Sequence, residues 1–197
     1  MAPLVLMLAR AQGIVSRVCV TAQHREMLDQ VLDLFEIRPD YDLNVMRPGQ
    51  DLAGLTTAIL GGLQPVLSSF EPDVVLVHGD TATTLAATLA AFYHRIPVGH
   101  VEAGLRTGNL LAPWPEEGNR KITGALAAIH FAPTVASKAN LEREGVVPQR
   151  IVVTGNTVID ALLLVREKLK ASTELATAQR SLFPFLSDER QIGRAHV

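Results

Sequence analysis

An α/β fold built on an open, mostly parallel sheet is the fold class that this 197-residue sequence predicts, on three observations. Short apolar runs rich in β-branched residues alternate with longer segments whose apolar positions recur at helical spacing. Residues 74–77 are continuously apolar, which is typical of a strand buried on both faces of a parallel sheet. The links between segments are short, and this favours a Rossmann-like, doubly wound domain with helices on both faces.

The first part of the chain predicts three helices separated by two short strands. A helical pattern covers residues 2–11, and the β-branched run at 17–21 predicts a strand. Apolar residues recur at helical spacing over 24–35. Residues 41–46 alternate between apolar and polar side chains as a strand does, and residues 51–70 predict a long helix.

The rest of the chain repeats a strand–helix alternation around one long loop. The buried strand at 73–79 is followed by an Ala- and Leu-rich helix over 81–94. A strand at 97–101 then leads into a loop over 102–115 that is rich in Gly, Asn and Pro. The alternation continues with helices expected over 116–128, 135–144 and 158–170, and with strands over 129–132 and 151–154.

Composition and charge exclude several classes of function. With 18 Lys and Arg against 20 Asp and Glu, the net charge of −2 argues against a nucleic-acid or membrane-surface footprint, which needs a basic excess. The single cysteine, Cys19, excludes an intramolecular disulfide framework and fits a reducing cytoplasm. No apolar run reaches the ~18 residues of a membrane span, and no basic region precedes the apolar N-terminus as in a signal peptide. We therefore expect a soluble, cytoplasmic protein with no nucleic-acid or membrane partner.

Both ends of the chain depart from the pattern of a complete doubly wound domain. Such a domain opens with a strand and a glycine-containing loop, whereas this chain opens in a helical pattern. We predict a Rossmann-like domain over 1–170 that lacks its first strand, followed by an interdomain linker over 171–191. Residues 192–197 follow no structural pattern and are expected to be non-native.

Three carboxylates stand where the predicted sheet should bind a ligand. Asp80 and Glu102 follow neighbouring strands, and Glu116 begins the helix after the long loop. Converging carboxylates move one another's pKa values apart, which suits one of them to accept a proton and another to donate one. Each residue also has a structural explanation. Asp80 could cap a helix, Glu102 could pair with Arg106, and Glu116 could be an ordinary first-turn acid.

Two His-x-acid pairs leave a metal site as an alternative. His78 lies two residues before Asp80 and His100 two residues before Glu102, and imidazole with carboxylate can hold a divalent cation. His78, inside an apolar run, is explained more simply as a hydrogen-bonded core imidazole. We therefore predict no metal site.

Two arginines near these acids could bind an anionic ligand. Arg106 in the long loop and Arg120 in the following helix can each meet a phosphate or carboxylate with two hydrogen bonds. Arginines that only face solvent are the alternative. The turn at 154–157 can present backbone N–H groups to an anion. Together these residues predict a site for a polar or phosphorylated small molecule.

Five sequence blocks resemble the non-hydrolysing UDP-N-acetylglucosamine 2-epimerases. They have that family's order and spacing, the resemblance covers residues 1–191, and the blocks are TAQHREMLDQ at 21–30, VHGDT at 77–81, GHVEAGLRT at 99–107, PEEGNR at 115–120 and TGNTVID at 154–160. The resemblance implies the first half of a two-domain, glycosyltransferase-B-like fold, whose active site lies between two Rossmann-like halves.

The resemblance also implies a reaction and roles for residues. Members of the family interconvert UDP-GlcNAc and UDP-ManNAc by eliminating UDP to give 2-acetamidoglucal and then adding UDP again, without a metal or redox cofactor. It implies catalytic carboxylates, residues that bind substrate, and a regulatory segment. In this sequence these are Asp80, Glu102 and Glu116 for catalysis, with base and acid left unassigned; Arg106, Arg120 and His100 for substrate; and Gln23, His24 and Arg25 for regulation.

Two departures from the family bear on activity. The chain lacks the Gly-Thr-Arg-Pro-Glu-type loop with which the family opens, and it ends where the second half of the fold should begin. We therefore expect the chain alone to be inactive, and a longer protein containing it to be a cytoplasmic homodimer that serves surface-polysaccharide synthesis. A hydrolysing epimerase, a related nucleotide-sugar transferase, and a non-catalytic half-domain that binds nucleotide sugar are the alternatives.

Overall fold

The computed structural model describes residues 1–182, which belong to two compact units, one over 1–157 and one that begins at Val158. The helices are α1 (Ala2–Leu8), α2 (Arg25–Phe35), α3 (Leu52–Phe70), α4 (Ala82–Tyr93), α5 (Glu116–Leu126), α6 (Val135–Arg143), α7 (Thr157–Ala171) and α8 (Thr173–Leu182). The strands are β1 (Cys19–Val20), β2 (Tyr41–Asp42), β3 (Val75–His78), β4 (Val98–Val101), β5 (Ile129–Ala132) and β6 (Ile151–Val153).

All strand pairs in the first unit are parallel, which confirms the predicted α/β class. β3, β4, β5 and β6 form one sheet in that order, with His100 of β4 opposite Val77 of β3 and His130 of β5. β1 and β2 pair as a separate two-stranded sheet. Because neighbouring strands of the larger sheet run the same way, their carboxyl ends lie at one edge, where such sheets bind ligands.

Side-chain caps explain where three of the helices begin. Asp51 Oδ1 accepts a hydrogen bond of 2.7 Å from the Gly54 N–H at the start of α3. Thr81 caps α4, and Thr134 caps α6 in the same way. The explanation of Asp80 as a helix cap is therefore wrong, because Thr81 occupies that position and Asp80 is left for other contacts.

The main core of the first unit lies between α3 and α4. Buried apolar residues of α3 recur every four positions and so form a stripe along one side of the helix. This stripe packs against small residues of α4, and the cluster includes Leu55, Ile59, Leu63, Leu67, Ala82, Ala86 and Ala90. Small side chains on α4 let the two helices approach closely.

α3 differs from one expectation of the sequence analysis. Within residues 1–182 it is a 19-residue helix that is long and apolar enough to cross a membrane, whereas no run of that kind was predicted. The helix has no charged residue, but Gly, Thr, Ser and Gln interrupt its apolar positions. Its stripe is buried against α4, which is the packing of a core helix.

The loop after β4 is held closely against α6. Gly104 has a φ of +85°, and a Cβ at this position would overlap the Ser137 carbonyl oxygen. Only glycine combines this backbone conformation with such a close approach. The Asn140 side chain of α6 also donates a hydrogen bond of 2.9 Å to the Gly104 carbonyl oxygen. These contacts orient the start of the 102–115 loop.

The second unit contains α8 and nearly all of α7. No residue of α7 is buried within the described structure, and several large apolar side chains on it are exposed. α8 lies inside the segment 171–191 that the sequence predicts as a linker. Residues 183–191 of that segment and the predicted tail at 192–197 lie outside the described residues, and the predicted domain boundaries stay predictions.

Candidate active site

The predicted acids at the ends of β3 and β4 lie next to each other in space. The Gly79 N–H donates a hydrogen bond of 3.0 Å to the Val101 carbonyl oxygen, so the two strands remain paired up to their ends. A Cβ at Gly79 would lie 3.5 Å from Glu102 Oε2. The Glu102 carboxylate therefore lies over the backbone that immediately precedes Asp80.

Glu102 is held in an unusual backbone conformation with its carboxylate facing this edge. Its φ is +65°, in the left-handed region that non-glycine residues adopt rarely. Asn156, after β6, donates a hydrogen bond of 3.2 Å to Glu102 Oε1, and His78 Nε2 lies 4.0 Å from Oε2. The explanation of Glu102 as an ion-pair partner of Arg106 is wrong, because Arg106 pairs with Glu144 instead.

Asp80 is tied to α5 through both its backbone and its side chain. Arg120 Nη2 donates to Asp80 Oδ2 at 2.5 Å, and Asn119 Nδ2 donates to the Asp80 carbonyl oxygen at 2.8 Å. Two adjacent residues of α5 therefore fix the position of Asp80 at the end of β3. The alternative that Arg120 only faces solvent is wrong, since its guanidinium is mostly buried in this ion pair.

Glu116, the first residue of α5, leaves an acceptor available. Its Oε2 atom is buried and has no hydrogen-bond partner within residues 1–182. An unpaired buried oxygen costs free energy, so a ligand hydroxyl or amide that donated to it would be favoured. Glu116 does lie in the first turn of α5, as its structural explanation requires, and its contact with a ligand stays a prediction.

The neighbouring carboxylate, Glu117, faces the other way and is fully buried. Its Oε1 atom accepts hydrogen bonds of 3.2 Å from the N–H groups of Thr107 and Gly108, and its Oε2 accepts one of 3.1 Å from Arg120. Burial alone would raise the pKa of Glu117, but these hydrogen bonds together hold that pKa below its ordinary value. Glu117 is therefore a buried anion linked to both the loop and Arg120.

His100 lies beneath the strand ends and is only 1% exposed. Its Nε2 lies 2.8 Å from the Gly79 carbonyl oxygen and donates to it, while Nδ1 is buried without a partner. Burial lowers the pKa of His100 to about 4, although the hydrogen bond to Gly79 opposes that shift. The ring is therefore neutral at pH 7. Its predicted contact with substrate stays a prediction.

His78 has a different environment at the same edge. Burial lowers its pKa, as does the nearby N-terminal amine of Met1, while the charges of Glu102 and Asp80 act in the opposite direction. The Met1 amine thus lies close enough to this edge to affect the titration of His78. The imidazole is therefore close enough to two of the three predicted catalytic carboxylates, Asp80 and Glu102, to be affected by their charges.

Arg106 is engaged in a nearly enclosed ion pair. Its side chain is 7% exposed, and its Nε and Nη2 donate to the two oxygens of Glu144 at 2.9 and 2.7 Å. Its Nη1 donates to the Leu105 carbonyl oxygen at 2.8 Å. These bonds connect the 102–115 loop to α6. Arg106 is not the solvent-facing arginine of the alternative explanation, and its binding of substrate stays a prediction.

The segment predicted to be regulatory lies between β1 and α2. Thr83 of α4 donates a hydrogen bond of 3.0 Å to Gln23 Oε1. Arg25 forms two hydrogen bonds of 2.8 Å with the carboxylate of Asp42, and His24 precedes the first residue of α2. Gln23 is thus connected to the helix that follows Asp80, whereas the Arg25 guanidinium is occupied at the edge of β2.

The metal alternative requires at least three ligating side chains close together. Within residues 1–182, no three His, Cys, Asp or Glu side chains come together as a metal site would require.

Three residues that bind the predicted site residues are not indicated by the sequence, and they are Glu117, Asn119 and Asn156. The spacing of Glu117 and Arg120, three residues apart on a helix, is the signal that could have identified the first of them.

The chain is similar along most of its length to known proteins. A family model described as UDP-N-acetylglucosamine 2-epimerase matches residues 7–187. The UDP-N-acetylglucosamine 2-epimerase of Escherichia coli (strain K12) is 61% identical over 192 residues, which are 98% of this chain and 51% of that relative.

Solved structures agree with this similarity. The UDP-GlcNAc 2-epimerase of Neisseria meningitidis, bound to UDP-GlcNAc, is 58% identical and has a TM-score of 0.91 over 95% of this chain and 50% of that one. The enzyme of Methanocaldococcus jannaschii, in complex with UDP-GlcNAc and UDP, is 34% identical with a TM-score of 0.83, over 91% of this chain and 49% of that one. This chain therefore spans about half the length of the relatives it matches.

Proposed function

This chain belongs to the UDP-N-acetylglucosamine 2-epimerase family, and on that premise we propose that it supplies the first half of an enzyme that interconverts UDP-GlcNAc and UDP-ManNAc without hydrolysis. The observation that carries the proposal is the placement of Asp80 and Glu102 at adjacent strand ends, with the unpartnered Glu116 oxygen at the start of α5. The relative of known structure with UDP-GlcNAc bound, 58% identical, supports the substrate class.

The proposed reaction is an elimination followed by an addition. A carboxylate removes the proton from C2 of the sugar, the bond between C1 and the UDP oxygen breaks, and a C1–C2 double bond forms. UDP stays bound, its oxygen attacks C1 again, and a carboxylic acid returns a proton to the opposite face of C2. Since every atom is recovered and no oxidation state changes overall, the reaction needs no redox cofactor and no water as a reactant.

Three carboxylates meet the needs of this chemistry. One group must remove a weakly acidic proton, a second must deliver one, and a negative charge near C1 stabilises the positive charge that develops as UDP leaves. Asp80, Glu102 and Glu116 are the proposed groups. Arg106, Arg120 and His100 are the proposed contacts for substrate.

The whole protein's setting is part of the same proposal. We propose a cytoplasmic homodimer that supplies nucleotide sugar for surface polysaccharide. Gln23, His24 and Arg25 are proposed to bind a regulatory nucleotide sugar, and the hydrogen bond between Thr83 and Gln23 supports a connection to the helix after Asp80.

A substitution chimera tests the reaction. This chain replaces the segment of the Escherichia coli relative that it matches at 61% identity, and the product is incubated with UDP-GlcNAc in deuterated water. Both epimers of the nucleotide sugar, carrying deuterium at C2, are the expected products by NMR. The chain alone is expected to give none. A chimera with Asp80→Asn is the matched control, and its full activity would contradict the role of Asp80.

Two other outcomes would favour the alternatives. Free ManNAc together with UDP would indicate the hydrolysing reaction. Binding of UDP-GlcNAc by calorimetry, with neither product nor deuterium exchange in the chimera, would indicate a half-domain that only binds nucleotide sugar.

A further inference from the structure

Glu117 is the most completely buried carboxylate in the described part of the chain, with 0% of its residue surface exposed. A buried anion is destabilising unless hydrogen bonds and an opposite charge compensate for the lost water. The neighbouring residue of α5, Glu116, has a buried oxygen without a hydrogen-bond partner among the described residues, whereas both oxygens of Glu117 are paired.

Both oxygens of Glu117 are already in use. Oε1 accepts hydrogen bonds from the N–H groups of Thr107 and Gly108, and Oε2 accepts one from Arg120 Nη1. A ligand would have to displace one of these donors to reach the carboxylate. Any effect of Glu117 on a reaction must therefore pass through the groups that it holds.

One of those groups, Arg120, also binds a predicted catalytic residue. Arg120 uses Nη1 for Glu117 and Nη2 for Asp80, so that one guanidinium bridges the two carboxylates. Thr107 donates its hydroxyl to the Ala112 carbonyl oxygen at 2.6 Å, which closes the loop between β4 and α5 onto itself. Glu117 is the point at which this loop and Arg120 are joined.

We propose that Glu117 is a positioning residue, which orients the Arg120 guanidinium against Asp80 and fixes the backbone of Thr107 and Gly108 beside the site. This inference rests on the proposed epimerase function, because positioning has a catalytic meaning only if Asp80 takes part in a reaction. It assigns no contact between Glu117 and the substrate.

The substitution Glu117→Gln keeps the shape of the side chain but removes its charge and turns an amide group toward Arg120 or the loop. In the chimera we expect kcat to fall about 10- to 100-fold, because small displacements of catalytic groups have effects of that size. We expect KM to rise by less than kcat falls, since Glu117 itself contacts no substrate and Arg120 is retained. The matched control is Glu142→Gln, which removes an exposed carboxylate of α6.

A double-mutant cycle separates positioning from general destabilisation. Because Glu117 acts in part through Arg120, the double variant Glu117→Gln, Arg120→Gln should lose clearly less kcat than the two single losses multiplied together. Additive losses would overturn the proposal. So would a Glu117→Gln chimera with the kcat of the unmodified chimera.

A second readout uses the chain itself and needs no activity. Amide hydrogen exchange at Thr107 and Gly108 should become at least about 10-fold faster in Glu117→Gln and stay unchanged in Glu142→Gln, because only the former replaces the carboxylate that accepts from them with a neutral amide. Unchanged exchange would overturn the proposal even if kcat fell. If the unmodified chimera produced no epimer while exchange accelerated as expected, the proposed function would fail and the placement of Arg120 and the loop by Glu117 would stand.

Discussion

Removing the Glu144 charge should destabilise the protein far more than removing an exposed carboxylate of the same geometry. Glu144→Gln leaves the Arg106 guanidinium, 7% exposed, without an opposite charge, and the neutral amide can accept only one of the two hydrogen bonds of 2.9 and 2.7 Å. Breaking a buried pair from one side costs about 3–5 kcal/mol. Since the Glu144 side chain is 30% exposed and water can reach that side of the pair, we expect about 3 kcal/mol of lost unfolding free energy.

The pair of Arg25 and Asp42 provides the matched control. It has two hydrogen bonds of 2.8 Å, but its side chains are 36% and 40% exposed. We expect Asp42→Asn to cost at most about 1 kcal/mol. In urea unfolding followed by far-ultraviolet circular dichroism, the two variants should therefore differ clearly. At about 2–4 °C per kcal/mol for a chain of this size, Glu144→Gln should lower Tm by about 6–12 °C.

The pH dependence gives the same prediction an independent check. The hydrogen bond from Arg106 is the largest cause that lowers the pKa of Glu144, Lys121 adds to it, and burial acts against both. A lowered pKa in the folded state means that the stabilisation is complete above the unfolded value of about 4.3 and is lost as pH falls through the folded value. The difference in unfolding free energy between Glu144→Gln and the unsubstituted protein should therefore become smaller as the pH falls from 7 to 3. Equal losses in Glu144→Gln and Asp42→Asn at pH 7 would refute the reasoning.

Three further predictions concern buried groups. The pKa of His100 is about 4 when folded and about 6.5 when unfolded, so lowering the pH from 7 to 5 should remove roughly 2 kcal/mol of unfolding free energy. In His100→Asn, the urea midpoint should lose the part of its pH dependence that this titration causes. Gly104→Ala should cost about 3 kcal/mol or prevent folding, because its Cβ would meet a backbone carbonyl, whereas Gly108→Ala has open space and should cost about 1 kcal/mol; similar urea midpoints would contradict this. Burial and the charge of Asp42 raise the pKa of the half-buried Cys19 thiol to about 11, so at pH 8 it should react with a disulfide reagent at least about 10-fold more slowly in the folded chain than in the unfolded chain, and equal rates would argue against this environment.

The periodicity of the sequence predicted the order of elements and the edge that carries the candidate site. Strands β3 to β6 and helices α2 to α7 all occur where the alternation placed them, because apolar spacing follows directly from which side chains a strand or helix must bury. The adjacency of Asp80 and Glu102 follows from the parallel order of two neighbouring strands. These are properties that depend on local pattern and chain order.

The partners of individual charges could not be predicted in this way. Arg106 pairs with Glu144, 38 residues away, rather than with the nearby Glu102. Whether Glu116 or Glu117 faces inward depends on the rotation of α5, and successive residues differ by about 100° around a helix axis. That rotation is decided by packing between elements, which a pattern within one element does not contain.

The backbone of Glu102 has a consequence for how substitutions at this position would be selected. A left-handed φ costs an L residue with a Cβ about 1–2 kcal/mol relative to glycine. A screen that scores only the abundance of folded protein should therefore favour glycine at 102, while a screen for product in the chimera should retain glutamate under the catalytic role proposed for Glu102. Position 102 is thus one where selection for stability and selection for chemistry rank the same substitution in opposite order.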